Sequence, residues 1–322
     1  MVVLHHSHGS FAFYHHVDLP FFDFLAHIGK YGVDFFFVLS GFIISYSNFE
    51  KAGNKKFIST YLKSRFIRIY VPYLPIGIGM VLLYSNFSSL SNSSRNISLF
   101  TSITLLPNGL PALSVAWTLV HELLFYFVFV LYMFSKRTWN IFVIIWVFFI
   151  IYFNYFTQTH TWSNSFFRVL LSPYNLEFIV GYFISLIIKS NVKIKPAYLV
   201  ILSVLMFTCF LYCKYFGIEG FSFFLNYFFA LFCALSIYLS IQISSLNISK
   251  KNIFMLIGNS AYSIYLVHNP VQALIIRLLP KFEHSLLCLI IEIFVVFATC
   301  IVIGYLYFLV FEKILMSKLK NL

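Results

Sequence analysis

Apolar segments long enough to cross a membrane recur along nearly the whole chain of 322 residues. A membrane-spanning helix needs about 20 mainly apolar residues, because the hydrocarbon core of a bilayer is about 30 Å thick. The chain is 61% hydrophobic and 10% charged, whereas a soluble domain carries about 25% charged residues. The pattern therefore predicts an all-α, polytopic transmembrane helical bundle of about ten helices with the first one incomplete. We expect residues 1–322 to form a single membrane-embedded domain.

The apolar segments place the helices on the sequence. Leu4 and its neighbours are interpreted as the outer half of the incomplete first helix. The remaining predicted spans are Tyr31–Ser47, Tyr70–Asn86, Ser114–Phe134, Asn140–Phe156, Ser172–Ile188, Ala197–Tyr215, Ser222–Ile243, Ser260–Leu279 and Leu286–Phe311.

The basic residues indicate how the chain is oriented. When successive spans alternate in direction, most of the 22 lysine and arginine residues fall on one side, which we predict to be cytoplasmic. The segment Glu50–Arg68 then faces the cytoplasm, and the Ser/Asn-rich loop Ser88–Pro111 faces outward. The net charge of +12 reflects this topology. No nucleic-acid partner is expected, because such a protein carries its basic residues as a stripe on a folded surface.

Ionisable side chains inside the predicted spans are the most informative residues. Each costs several kcal/mol in a membrane helix and usually lines a cavity or pairs with another polar group. We expect these groups to share a polar chamber open toward the outside, with Glu122 near mid-membrane. Structural roles are the alternative, since His121 and Glu292 can pack or pair locally and Asp34 can cap its helix. The set comprises Asp34, His121, Glu122, Glu177, His268 and Glu292, with His5 and His6 near the start.

Histidines are concentrated near the start of the chain, where His5, His6 and His8 follow each other closely. Neutral imidazole is a common ligand of transition metals. No His-x₃-His pair on a predictable helix and no nearby cysteine supports a ligand set, so no metal site is predicted. A membrane-embedded histidine beside a polar chamber is better suited to act as a general base.

Motifs in a fixed order resemble those of a known family. The segment 32–44, GVDFFFVLSGFII, resembles the GVDLFFVLSGFLI signature of the acyltransferase 3 family, whose members are multi-spanning membrane enzymes that O-acylate bacterial glycans and related acceptors. Residues 65–73 are similar to the family's RRxxRIxPxY, and residues 116–126 to its WTLxxExxFY. Residues 175–181 resemble LEFLLG, and residues 257–270 resemble LGxxSYxxYLxHxP. The resemblance spans essentially the whole chain.

This resemblance implies a membrane O-acyltransferase of the bacterial inner membrane. Its donor would be cytoplasmic acyl-CoA, with acetyl-CoA as the family default, and it would hold no permanently bound cofactor. The acceptor would be a hydroxyl of a glycan or lipid-linked saccharide, such as O-antigen of lipopolysaccharide, exopolysaccharide or capsular polysaccharide. Homo-oligomer formation stays open.

The resemblance places His6 at the family's catalytic position, as a general base or as the carrier of an acyl intermediate. Glu122 or Asp34 could orient its imidazole. The CoA phosphates could bind Lys63, Arg65 and Arg68, although positive-inside charge alone also explains these residues. Tyr126, Ser263 and Tyr265 are candidate donors to the oxyanion and, with Glu177 and His268, form the expected substrate-binding set.

One departure from the family pattern concerns the first helix. The family carries an arginine, ten residues and then the histidine, but residues 2–6 match only the tail of that motif, VVLFH. The arginine would lie upstream of Met1, so we expect either a start assigned too late or a truncated and inactive protein. Both alternatives stay open, as does the choice between His5 and His6 as the base.

Two further interpretations compete with acyl transfer. A secondary transporter or exporter of an acylated or anionic small molecule also has midplane carboxylates, and a helix broken at Pro270 would fit it. A non-catalytic scaffold for envelope assembly is the second alternative.

Overall fold

The computed structural model describes residues 1–15, 26–87, 96–156, 165–192, 194–216, 222–244, 253–279 and 286–320. Nearly all of this chain is helical, and the β-type pairing within these ranges is an isolated bridge between Ile97 and Leu110. The α-helices are α1 (Val2–His15), α2 (Gly32–Asn48), α3 (Ile58–Asn86), α4 (Leu99–Thr104), α5 (Trp117–Phe134), α6 (Lys136–Phe156), α7 (Ser165–Leu170), α8 (Tyr174–Lys189), α9 (Pro196–Phe216), α10 (Ser222–Ser244), α11 (Ile253–Leu278), α12 (Leu286–Tyr307) and α13 (Met316–Lys320). Short 3₁₀ turns lie at Phe49–Lys51, Lys55–Phe57 and Ser114–Ala116, and a π-helix at Phe308–Leu315.

Eight helical stretches of the described chain are long and apolar enough to cross a membrane. They are Ala26–Lys51, Lys55–Asn86, Ser114–Phe134, Lys136–Phe156, Ser165–Lys189, Pro196–Phe216, Leu225–Ile243 and Cys288–Leu319. The predicted polytopic helical bundle is confirmed, and the chain is a multi-pass membrane protein. Helices α1 and α11 were also predicted as parts of the bundle but are not among the eight. Helix α11 is less apolar because it carries buried polar residues, among them His268 and Gln272.

Three expectations about the helices require correction. Helix α3 begins at Ile58 rather than at Tyr70, and α11 begins at Ile253 rather than at Ser260, because both helices extend past their apolar cores. The predicted break at Pro270 is wrong, since α11 continues through it. Proline is tolerated inside membrane helices where neighbouring groups satisfy the freed backbone atoms.

The chain divides into two compact units, which are described separately. Unit 1 comprises Met1–Gly32, Leu62–Val120 and Lys250–Leu322, and unit 2 comprises Val33–Tyr61 and His121–Ser249. The single domain expected over residues 1–322 stays a prediction.

The core of unit 1 forms where α1 packs on α11 and α12. Its apolar centre buries side chains from all three helices. The buried residues of this core are Phe11, Ile276, Leu289, Ile293, Val296 and Cys300.

Two glycines allow α2 and α8 of unit 2 to touch through their backbones. A Cβ atom on Gly41 would lie 2.1 Å from the carbonyl oxygen of Phe178, and one on Gly181 would lie 2.1 Å from that of Val38. Only glycine permits such close approach, as at small-residue interfaces between membrane helices. The crossing fixes the helix turns on which the acidic residues of unit 2 lie.

Candidate functional site

Two histidine rings lie side by side in unit 1, His6 on α1 and His268 on α11. Their ring centroids are 5.2 Å apart, and His268 is completely buried. Nδ1 of His268 lies 2.6 Å from the carbonyl oxygen of Tyr265. A carbonyl oxygen can only accept, so Nδ1 carries the proton and Nε2 of the neutral ring is an acceptor. Among the residues that the structure describes, this Nε2 has no hydrogen-bond partner.

His5 lies equally close to His6 but in different surroundings. The centroids of these two rings are also 5.2 Å apart. Nδ1 of His5 lies 2.9 Å from the carbonyl oxygen of Ala26, and its side chain is only partly buried. His5 therefore binds the segment that precedes α2, whereas His6 lies next to the buried imidazole of His268 on α11.

Gln272 anchors α1 to α11, a contact that the sequence did not suggest. Its Nε2 donates to the carbonyl oxygen of Val3 at 2.8 Å and to Oγ of Ser7 at 2.7 Å. Gln272 is completely buried and stands four residues after His268, on the same helix face. An amide at this spacing inside an apolar segment was the signal that could have identified it.

The hydroxyl of Tyr265 holds the chain that leads into α5. It donates to the carbonyl oxygen of Val115 at 3.0 Å and lies 2.9 Å from Oγ1 of Thr118. Asn269, one turn further along α11, donates to Oγ of Ser114. Tyr265 thus ties two elements of unit 1 together.

Arg68 of α3 forms an ion pair with Glu312 of the π-helix. The side chain of Arg68 is 40% exposed and that of Glu312 is 1% exposed. Ser263 donates to the other carboxylate oxygen of Glu312 at 2.5 Å, and the Arg68 guanidinium lies 5.0 Å from the ring centroid of Tyr262. We call these four residues the Arg68 cluster. Glu312 was missed because its neighbour Lys313 made it resemble an ordinary charged helix end.

The two other predicted phosphate ligands lie on the same helix as Arg68. Lys63 is exposed and Arg65 is partly buried. Arg65 and Arg68 are three residues apart and therefore lie on one side of α3.

The segment 96–113 returns along α3 instead of staying beyond its end. The hydroxyl of Tyr73 donates to the carbonyl oxygen of Ser102 at 2.6 Å, and that of Tyr70 donates to Thr104. Tyr70 lies about 24 Å below Asn86 at 1.5 Å per residue. The described part of Ser88–Pro111 therefore packs back along α3, and its outward orientation stays a prediction. Residues 88–95 lie outside the described ranges.

The side chains of α4 are divided by polarity between its exposed and its buried face. Leu99, Phe100 and Ile103 are exposed, whereas Thr101 and Ser102 are completely buried. Apolar side chains outside and polar ones inside are what a lipid environment requires of a re-entrant segment, whose backbone must be satisfied by the protein.

In unit 2, Glu122 is bound by hydroxyl groups. Tyr126, one turn further along α5, donates to its Oε1, and Oγ of Ser40 on α2 lies 3.5 Å from the same oxygen. All three residues are buried. The Tyr126 hydroxyl that was a candidate oxyanion donor is thus engaged with Glu122.

Asp34 and Glu177 form a buried acidic pair in unit 2. Asp34 is 4% exposed and Glu177 is 1% exposed, and their carboxyl groups interact electrostatically. The Gly41–Gly181 crossing brings α2 and α8 close enough for this pairing. Ionisable groups within membranes commonly pair with one another in this way.

The predicted site residues thus fall into two sets. Unit 1 contains His6, Lys63, Arg65, Arg68, Ser263, Tyr265 and His268, and unit 2 contains Asp34, Glu122, Tyr126 and Glu177. His121 is buried and packs edge-on against Phe37 and Tyr174, and Glu292 is only partly buried. Within the described ranges, no group of three or more His, Cys, Asp or Glu side chains could hold a metal ion.

Comparison with known proteins gives one match. A family model of an acyltransferase domain, that of the acyltransferase 3 family, matches residues 1–309. No curated protein and no solved structure matches the chain. The matched range includes every predicted site residue and ends just before Glu312.

Proposed function

The chain belongs to the acyltransferase 3 family, and we propose that it moves an acyl group, with acetyl as the first candidate, from cytoplasmic acyl-CoA to a hydroxyl of an envelope glycan. The acceptors to test first are O-antigen, exopolysaccharide, capsule and their lipid-linked precursors. The proposal places the protein in the inner membrane of a bacterium, where the donor lies inside and the acceptor outside.

The pair of His6 and His268 is the observation that carries the proposal. A neutral imidazole has one unprotonated ring nitrogen. It can therefore accept the proton of a hydroxyl without first losing a proton of its own. We assign the base to His6 rather than His5, because His6 lies beside the buried acceptor of His268, while His5 binds Ala26.

In the proposed reaction, His6 takes the proton of the acceptor hydroxyl while the hydroxyl oxygen attacks the thioester carbonyl carbon. The new C–O bond forms, the C–S bond breaks, and the leaving CoA thiolate takes the proton back from His6. Tyr126, Ser263 and Tyr265 each donate their hydroxyl proton to another group. We therefore propose positioning roles for these three rather than direct donation to the oxyanion.

For the donor site we propose Lys63, Arg65 and Arg68. Guanidinium groups bind phosphate oxygens through paired, charge-assisted hydrogen bonds. The ion pair with Glu312 holds the Arg68 guanidinium in one place, and its partial exposure makes it accessible to a ligand. Under the predicted orientation these residues lie on the cytoplasmic side.

The base is tested with His6→Ala in the full chain, expressed in cells whose own gene is deleted. Mass spectrometry of the surface glycan reports the added acyl group. We expect its rate of addition to fall about 10²-fold or more, as for loss of a general base. The control is His27→Ala, which removes an exposed histidine of the same unit. Acylation at the wild-type rate in His6→Ala would refute the proposal.

The donor site is tested by direct binding of acetyl-CoA to the purified protein. Arg68→Ala should weaken binding about tenfold or more, because a hydrogen bond between charged groups contributes about 1.5–3 kcal/mol. Binding of acetyl-pantetheine, which lacks the nucleotide phosphates, should change little. Arg137→Ala on α6 removes an exposed arginine of unit 2 and serves as the control. Unchanged acetyl-CoA affinity in Arg68→Ala would reassign Arg68 to topology alone.

A further inference from the structure

We infer that His268 is a positioning residue for His6: its buried Nε2 accepts the N–H of one ring nitrogen of His6 and so leaves the other nitrogen unprotonated for the acceptor hydroxyl. The inference rests on the proposed function, because it concerns how the proposed base is held ready. It changes the role expected of His268 from substrate binding to control of the His6 tautomer.

His268 has a single neutral tautomer. Its Nδ1 lies 2.6 Å from the Tyr265 carbonyl oxygen, three residues earlier on the same helix. Because that contact requires a proton on Nδ1, the lone pair of the neutral ring is on Nε2. The orientation of this lone pair is therefore set by the backbone of α11.

The lone pair on Nε2 of His268 needs a hydrogen-bond donor. Nε2 is buried in a completely enclosed side chain and has no hydrogen-bond partner among the described residues. Buried polar groups are almost always hydrogen-bonded. The ring of Tyr265 is also near, with its centroid 5.6 Å away, but its hydroxyl donates to Val115. The His6 imidazole, 5.2 Å away between centroids, is a described neighbour that can supply an N–H.

Helix α1 is held in position against α11. Gln272 binds both Val3 and Ser7, the residue that follows His6. On the other side of α1, the backbone approaches closely, since a Cβ on Gly29 would lie 2.6 Å from the carbonyl oxygen of Met1. His6 therefore has little freedom to move away from His268.

The chemical consequence concerns the moment of proton transfer. When His6 takes the acceptor proton, both of its ring nitrogens carry hydrogen. One of them donates to Nε2 of His268, which stabilises the positive charge. When the CoA thiolate takes the proton back, the same pair returns to its starting tautomers. No proton remains on His268.

Kinetics of two substitutions test the inference. His268→Ala should lower kcat about 10²-fold or more and leave the KM for acetyl-CoA within about twofold, since a base in the wrong tautomer can lose up to about 10⁴ in kcat. His268→Gln should recover most of that loss, because the glutamine Oε1 can stand where Nε2 stands. Loss in both variants together with a higher KM would show a merely structural role and overturn the inference.

His5 provides a matched control, because its ring is at the same centroid distance from His6 as that of His268. His5→Ala should cost less than His268→Ala. Equal or greater loss in His5→Ala would transfer the positioning role to His5 and refute the inference. If His268→Ala is fully active while His6→Ala is inactive, the inference is wrong and the proposed function stands. If His6→Ala is active, the proposed function itself is wrong.

A spectroscopic measurement tests the tautomer without any turnover. In protein labelled with ¹⁵N-histidine, the His6 signals are those absent from His6→Ala. They should report one protonated and one unprotonated ring nitrogen in the wild type, and an exchanging mixture of tautomers in His268→Ala. The same spectrum in both proteins would contradict the inference even if both are inactive.

Discussion

Arg68 of α3 donates a hydrogen bond to the buried carboxylate of Glu312 in the π-helix that follows α12. The second oxygen of that carboxylate accepts a hydrogen bond from Ser263 of α11. One buried acidic side chain therefore joins three helical elements of unit 1. π-Helical turns are frequent at functional sites, where they redirect a side chain.

The Arg68 cluster predicts that Glu312→Gln weakens acetyl-CoA binding, because Arg68 loses its charged partner and is held less firmly. We expect a loss of a few fold to tenfold, near the lower end for a charged hydrogen bond because Arg68 is partly exposed. Isothermal titration of acetyl-CoA measures it. In a double-mutant cycle, adding Glu312→Gln to Arg68→Ala should produce little further loss. Full additivity of the two losses would show that Glu312 acts independently of Arg68.

The close crossing of α2 and α8 predicts that Gly41→Ala strongly destabilises the protein, since its Cβ would lie 2.1 Å from a backbone oxygen of Phe178. Backbone must then shift, and we expect a lower midpoint in a thermal unfolding assay in detergent and little folded protein. Gly79→Ala in α3 is the matched control, because among the described residues no atom outside its own stretch of helix lies within 4 Å of the added Cβ. Equal unfolding midpoints for the two variants would contradict the crossing.

Gln272 predicts a loss of catalysis through displacement of α1. Gln272→Leu keeps the size of the side chain but removes its hydrogen bonds to Val3 and Ser7. A base displaced by about 1 Å can lose about 10²-fold in rate, so we expect kcat to fall and acetyl-CoA affinity to stay unchanged. Faster hydrogen exchange of the α1 amides should accompany the loss.

The control for Gln272 is Gln242→Leu, which removes a comparable bond to the carbonyl oxygen of Ile194 in unit 2. It should leave kcat near the wild-type value. If Gln272→Leu has faster hydrogen exchange in α1 but keeps the wild-type kcat, the placement of α1 does not limit the reaction.

The packing of the segment 96–113 against α3 predicts a local effect of Tyr73→Phe. The variant keeps the buried ring but leaves the Ser102 carbonyl without its hydroxyl donor. We expect a cost of about 1–3 kcal/mol and faster hydrogen exchange across residues 98–112, with helix α3 otherwise unchanged. Tyr155→Phe at an exposed position should have no such effect. If the amides of residues 98–112 exchange as slowly as in the wild type, the hydroxyl of Tyr73 does not stabilise this segment.

The sequence was sufficient to predict the class of fold. Long apolar segments predicted the membrane bundle because the bilayer imposes a minimum helix length, whatever the side chains later contact. The same argument failed at helix ends, since α3 continues past its apolar part to include Lys63, Arg65 and Arg68. It also gave no indication that Thr101 and Ser102 of the segment 96–113 are completely buried.

The candidate site was predicted only in part. Polar residues inside apolar segments identified His268, Glu122 and Glu177 as unusual, because such residues are costly in a membrane. Gln272 was not singled out because it is uncharged, and Glu312 lies one residue past the predicted span Leu286–Phe311. Both acquire their roles from partners far away in sequence, Val3 for Gln272 and Arg68 for Glu312.

The sequence by itself determined that this chain is a multi-pass helical membrane protein and, through its ordered motifs, which family it belongs to. Both follow from local properties, namely the length of apolar segments and the identity of neighbouring residues. Tertiary structure alone decided that His6 of α1 lies next to His268 of α11, and that Glu312 holds Arg68. A hydrogen bond between separate helices forms only when the donor–acceptor distance is right to within a few tenths of an ångström. Only the packed fold sets that distance.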